Sequence, residues 1–137
     1  MPRPQKCRKI CTPPKMLGFN PFGIEGNEKG QIILLYEEYE SIKLVNYENL
    51  PQDDAALRME VSRPTFTRIY NIALKKIAEA LTEGKSIIIQ GGNFKFDHNW
   101  YKCKRCFKLI QGEENHTKCK NCNHYNMDEL INLNPHK

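Results

Sequence analysis

The chain has no apolar run long enough to cross a membrane as a helix. A span needs about 20 such residues, and the longest stretch, Ile32 to Tyr36, is far shorter. The basic N-terminus is followed by prolines instead of an apolar segment, so it does not read as a signal peptide. No nucleophile–base pairing stands out, and no open metal site, which argues against an enzyme. The aromatic-rich sheet motifs of single-strand RNA binders are also missing. There is no low-complexity tract. Apolar residues make up 39% of the 137, below the globular average. That suffices for one modest domain, or a small domain with an appendage. These absences leave a soluble, cytoplasmic binding protein as the expectation.

What is present begins with charge. The formal net charge is +5 at pH 7, which favours polyanionic partners. Much of the excess lies in residues 1–30, which carry Arg3, Lys6, Arg8, Lys9, Lys15 and Lys29 against Glu25 and Glu28. Prolines and glycines break regular elements there, so the segment reads as an extended basic arm. Arg3, Lys6 and Arg8 are candidates to follow a minor groove or a phosphate backbone.

Residues 31–85 read as a three-helix domain. The first helix is expected over about Tyr36 to Asn46, the second over Gln52 to Met59 and the third over Arg63 to Leu81. Ser62 is a good N-cap for the third. Pro64, in its first turn, needs no intrahelical N–H partner and stiffens the start. At 100° per residue, Phe66, Ile69, Ala73, Ile77, Ala80 and Leu81 form one apolar stripe. Arg68, Asn71 and Lys75 fall opposite, with Thr65 and Thr67 at the flanks. Ile72 also points outward, toward the C-terminal part or a second subunit, which leaves a homodimer open.

The order Ala56, Met59, Val61, Phe66, Ile69 matches the small and apolar positions of a helix-turn-helix. No acid occupies the first turns of the third helix. The expected partner is double-stranded DNA, read in the major groove. Arg63 and Arg68 suit guanine and Asn71 suits adenine. Thr65 and Thr67 suit phosphate or a thymine methyl, and Lys75 and Lys76 suit the backbone. The acids Glu37, Glu38, Glu40, Asp53 and Asp54 are expected to face away from phosphate.

Residues 86–99, with "SIIIQGGNFKF", suggest a β-hairpin and linker: β-branched residues, a Gly-Gly break, then alternating Phe94 and Phe96. Residues 100–137 hold Cys103, Cys106, Cys119 and Cys122 as C-x2-C-x12-C-x2-C, the spacing of a four-cysteine zinc ribbon with a closed, structural Zn site. Surrounding lysines offset the thiolate charge. His98, His116 and His124 are expected to be surface residues or neighbours of the site. Cys7 and Cys11 form C-x3-C without an identifiable second pair. The fold expected from all this is mainly α: a helix-turn-helix domain with a short β-hairpin and a C-terminal zinc ribbon.

"MPRPQKCRKIC", "PFGI" at 21–24, "AALRMEVSRPTFTRIYNIALKKIAEAL" at 55–81 and "GKSIIIQGGNF" at 84–94 resemble, in order, the small prokaryotic proteins grouped as domain of unknown function 134. The resemblance covers about residues 1–95. It implies a DNA-binding helix-turn-helix similar to region four of sigma factors and a regulator-like role. Glu60 stands where that family has glycine, and Leu35 where it has a hydroxyl or acid cap. The cysteine segment lies outside the resemblance. The function expected is sequence-specific DNA binding in transcriptional regulation. The alternative is an adaptor that binds a protein such as RNA polymerase.

Overall fold

The parallel pairing of two distant strands organises the chain. The computed structural model describes residues 8–25, 30–96, 98–103, 109–112 and 130–134. Strands β3 (Gln31–Leu34) and β4 (Ser86–Ile89) run parallel, with Ile32 opposite Ile87 and Leu34 opposite Ile89. Parallel neighbours need a long crossover. Here the crossover carries every α-helix among the described residues: α1 (Tyr36–Ile42), α2 (Gln52–Arg58) and α3 (Arg63–Glu83). Strand β2 (Gly18–Phe19) completes this sheet antiparallel to β4.

Two further sheets stand beside it. Strand β1 (Arg8–Ile10) pairs in parallel with β5 (Phe94–Phe96). Strand β6 (Trp100–Cys103) lies between β7 (Leu109–Gln111) and β8 (Leu130–Asn132), antiparallel to both.

This corrects the expected mainly α fold. The three helices occupy the expected segments, but they share the described residues with eight strands in three sheets. The architecture is mixed α and β, not a helical helix-turn-helix domain with one hairpin. Among the described residues no cluster of His, Cys, Asp or Glu could hold a metal. The described part of the first thirty residues is not simply an arm either, since β1 and β2 each join a sheet.

The expected hairpin fails for a physical reason. β4 and β5 do not pair with each other but belong to different sheets. Gly91 and Gly92, at φ +74° and +108°, bend the chain between them. Helix α1 captures that bend: Tyr36 N–H donates to the Gly91 carbonyl at 3.2 Å, and Asn93 N–H to Glu37 Oε1 at 2.9 Å. Period-two alternation marks a strand but does not name its partner.

Two apolar clusters hold the helices. Leu44, Ala55, Ala56, Met59 and Phe66 fill one, and Leu34, Ala73 and Ile89 the centre of the other. The apolar stripe of α3 is buried at Phe66, Ile69, Ala73 and Ala80, but Leu81 is 79% exposed. Tyr36 packs against Phe94 as a tilted ring pair with centroids 4.5 Å apart, which ties α1 to β5. No helix among the described residues is long and apolar enough to cross a membrane.

Candidate nucleic-acid interface

The outer face of α3 is positioned from its first residue. The Ser62 hydroxyl accepts the Thr65 N–H at 3.3 Å and donates to Thr65 Oγ1 at 2.9 Å. Its carbonyl takes the Phe66 N–H. Pro64 follows in the first turn, where its missing N–H leaves nothing unpaired. Gly84, at φ +68°, closes the far end in a left-handed cap.

α2 crosses beneath. Ala55 and Ala56 are buried, and their small side chains admit Phe66 to the shared cluster. The connecting turn contains Glu60 at φ +58°. A left-handed residue with a side chain costs about 1 kcal/mol. Several bonds hold it there. Val61 N–H donates to the Ala56 carbonyl at 3.0 Å, and Lys95 Nζ lies 2.8 Å from the Glu60 carboxylate. Lys9 N–H donates to the Met59 carbonyl at 3.0 Å, so β1 backs the turn.

The candidate contact residues fall into three groups. Arg68, Asn71 and Lys75 are exposed on one side of α3. Arg68 Nη2 donates to Thr65 Oγ1 at 3.3 Å, which steadies the guanidinium. Arg63 and Thr67 are exposed or half-exposed but already engaged with α2. Arg63 Nη1 meets Asp53 Oδ1 at 2.8 Å, and Thr67 Oγ1 donates to Gln52 Oε1 at 2.8 Å. Arg8 sits elsewhere: in β1 its guanidinium lies 3.5 Å from Glu37 Oε2, with little of the side chain exposed. That placement removes Arg8 from the α3 face. Arg3 and Lys6 lie outside the described residues, as does Cys7.

From Arg63 to Ala78 the helix contains no acid. The face therefore offers cations and hydrogen-bonding groups, near a helix N-terminus that itself favours anions. Lys76 is not part of this face. It is half-buried and its Nζ lies 2.7 Å from Glu38 Oε1. Ile72 is half-exposed between Arg68 and Lys75.

The acids of α1, expected to face away from phosphate, lie inside the fold and not in solvent. Glu37, Glu38 and Glu40 are buried. Glu38 also accepts the Leu35 N–H at 2.9 Å, so it does the capping that Leu35 cannot. Burial pushes the Glu37 carboxyl above the ordinary carboxylate range, with the Asn93 N–H and Arg8 opposing. Burial does the same to Glu40, against the pull of Lys43 at 2.9 Å. Runs such as "YEEYESI" do not show which acids have a cation from a remote element. Those partners come from β1 and α3.

Of the four clustered cysteines, Cys103 alone is described. It is buried at the end of β6, packed with Tyr101 and Ile110. Cys106, Cys119 and Cys122 lie outside the described residues, with His116 and His124. Cys11 is exposed.

Comparison with known proteins bears on the whole chain. The model of the family described as "Protein of unknown function DUF134" matches residues 1–97. A UPF0251 protein of Chloroherpeton thalassium is 36% identical over 132 residues, which cover 95% of this chain and 87% of that protein. A UPF0251 protein of Clostridium novyi is 40% identical over 129 residues, covering 93% and 88%. One of Thermoanaerobacter pseudethanolicus is 45% identical over 95 residues, covering 69% and 80%. The two longer similarities reach past residue 97 into the cysteine segment. No solved structure matches the chain.

Proposed function

We propose, for a chain that belongs to the family described as proteins of unknown function DUF134, that the exposed N-terminal half of α3 binds duplex DNA with sequence preference, and that this binding serves transcriptional regulation in the cytoplasm. One observation carries the reading: Arg68, Asn71 and Lys75 stand outward on a capped helix that has no acid from Arg63 to Ala78 and whose opposite face is anchored by Phe66, Ile69 and Ala73. A helix that presents Arg and Asn side chains at its surface matches the donor and acceptor pattern of base edges. Arg63 and Thr67 join the contact by exchanging Asp53 and Gln52 for phosphate or base atoms.

The test is a duplex selection with the purified protein, followed by a salt titration. The reading expects a consensus site and a log–log salt slope of several units, since each phosphate neutralised contributes about 0.9. Absence of duplex binding at low salt rejects it.

The half-exposed Ile72 in the middle of this face supports a second reading, a docking surface for a protein such as RNA polymerase. A partner retained after Arg63 and Arg68 are both replaced by alanine would favour it.

The spacing of Cys103, Cys106, Cys119 and Cys122 supports one structural zinc per chain. Cys103, buried in β6, fits a thiolate ligand shielded from solvent. Metal analysis of the purified chain should find about one zinc, with loss on Cys103→Ser.

A further inference from the structure

A cavity of about 730 Å³ opens between the β2–β4–β3 sheet, the end of α1 and the loop around Thr12 to Met16. It shares no residue with the outer face of α3. Its floor is apolar: Leu34, Ile42, Ile77, Ile87 and Ile89. Sites for small molecules commonly measure about 300–1,000 Å³ and combine such a floor with a few polar groups.

The rim has an unusual backbone. After Ile42 the helix continues as a π turn over Lys43–Tyr47, with Glu48 N–H donating to the Lys43 carbonyl at 2.9 Å. π turns are rare and gather at functional sites. This one places Lys43, Asn46 and Tyr47 on the cavity. Tyr47 and Phe19, also on the lining, leave most of their surface to solvent.

Charge on the rim has a sign. Lys43 is matched by Glu40 at 2.9 Å, and Glu48 by Arg58 at 3.6 Å. Lys15 is exposed and has no counter-ion among the described residues. Among the described rim residues the uncompensated charge is therefore positive.

We propose that this cavity binds a small amphiphilic anion, an aromatic body bearing one carboxylate. The ring lies on the isoleucine floor between Phe19 and Tyr39, and the carboxylate faces Lys15. Removing the ring and the exposed aromatic rim from water drives association, and the lysine selects the sign of the head group.

Three probes of one shape test this: indole-3-acetate, neutral indole and cationic tryptamine, titrated into the full chain without DNA and read by calorimetry and saturation-transfer NMR. Failure here is thereby separate from failure of the DNA reading. Indole-3-acetate should bind and tryptamine should bind at least about fivefold more weakly, the scale of one exposed charge contact. Lys15→Glu, at an exposed site, should reverse that order. Ile77→Trp, which fills the floor, should abolish binding of all three while the circular dichroism spectrum is kept. The proposal is overturned if the folded protein binds none of the probes at millimolar concentration. It is equally overturned if tryptamine matches indole-3-acetate, or if Lys15→Glu leaves the order unchanged. The Lys15 variant decides the matter even if Ile77→Trp does not fold.

Discussion

The Arg63 guanidinium lies 2.8 Å from the Asp53 carboxylate and joins the first turn of α3 to the first turn of α2. Both side chains are well exposed, at 56% and 69%. An exposed pair of this kind is worth about 0–1 kcal/mol, so it holds Arg63 in place without committing it. Asp53→Ala removes a negative charge beside the proposed contact face and frees the guanidinium. Affinity for duplex DNA should rise severalfold, while denaturant-derived stability should fall by no more than about 1 kcal/mol. Binding isotherms at two salt concentrations check the first expectation and urea titration the second. Unchanged affinity would remove Arg63 from the interface.

Arg68 and Lys75 should separate into two roles. Arg68→Ala is expected to cost about 1–3 kcal/mol at a preferred site and to relax preference at one base position. Lys75→Ala should weaken all duplexes alike and lower the salt slope by about one. Competition selections on the two variants distinguish the roles. If both variants behave identically, α3 contacts only backbone.

Gly92 marks a close approach. A Cβ there would meet Glu37 Oε1 and lie 3.3 Å from Leu35 Cβ, and φ is +108°. Gly92→Ala must push away the carboxylate that accepts the Asn93 N–H and faces Arg8. The expected loss is about 2–4 kcal/mol, combining left-handed strain with a charged hydrogen bond. Gly23 is the control: its φ is also positive, at +85°, but nothing lies within 4 Å of its Cβ position. Gly23→Ala should cost about 1 kcal/mol. Equal losses at the two sites would show that Glu37 does not hold the bend.

The buried Glu40 links stability to pH. Burial raises its carboxyl pKa in the fold, with Lys43 opposing. The native state thus holds the proton more tightly than the unfolded chain. Its contribution is complete below the unfolded carboxylate value and is lost as pH rises through the raised folded value. Glu40→Gln should therefore melt higher than the parent at neutral pH, and the gain should shrink toward pH 4. Thermal melts across that range test the sign. A gain that grows on acidification would show that the Lys43 pair outweighs burial.

Much of the helical framework was legible in the residues. Ser62 and Pro64 announce the start of α3, and the spacing of Phe66, Ile69 and Ala73 names its buried side. Those are local rules of backbone bonding and 3.6-residue periodicity, so a single segment suffices. The outward positions of Arg68, Asn71 and Lys75 follow from the same phase. The family was readable for a similar reason: its blocks are contiguous.

Pairing was not legible, because a strand's own residues carry no address. Only the folded chain sets Ile87 beside Ile32, lays Arg8 along Phe94, and thereby turns an expected helical domain into a mixed one. The fate of the α1 acids was settled the same way. Glu37, Glu38 and Glu40 look like solvated helix charges until β1, α3 and the π turn bring Arg8, Lys76 and Lys43 to them. Sequence determined which side of α3 is buried along most of its length, since that is a property of spacing. Tertiary structure decided which strands meet and which charges are buried, since both depend on segments far apart in the chain arriving at one place.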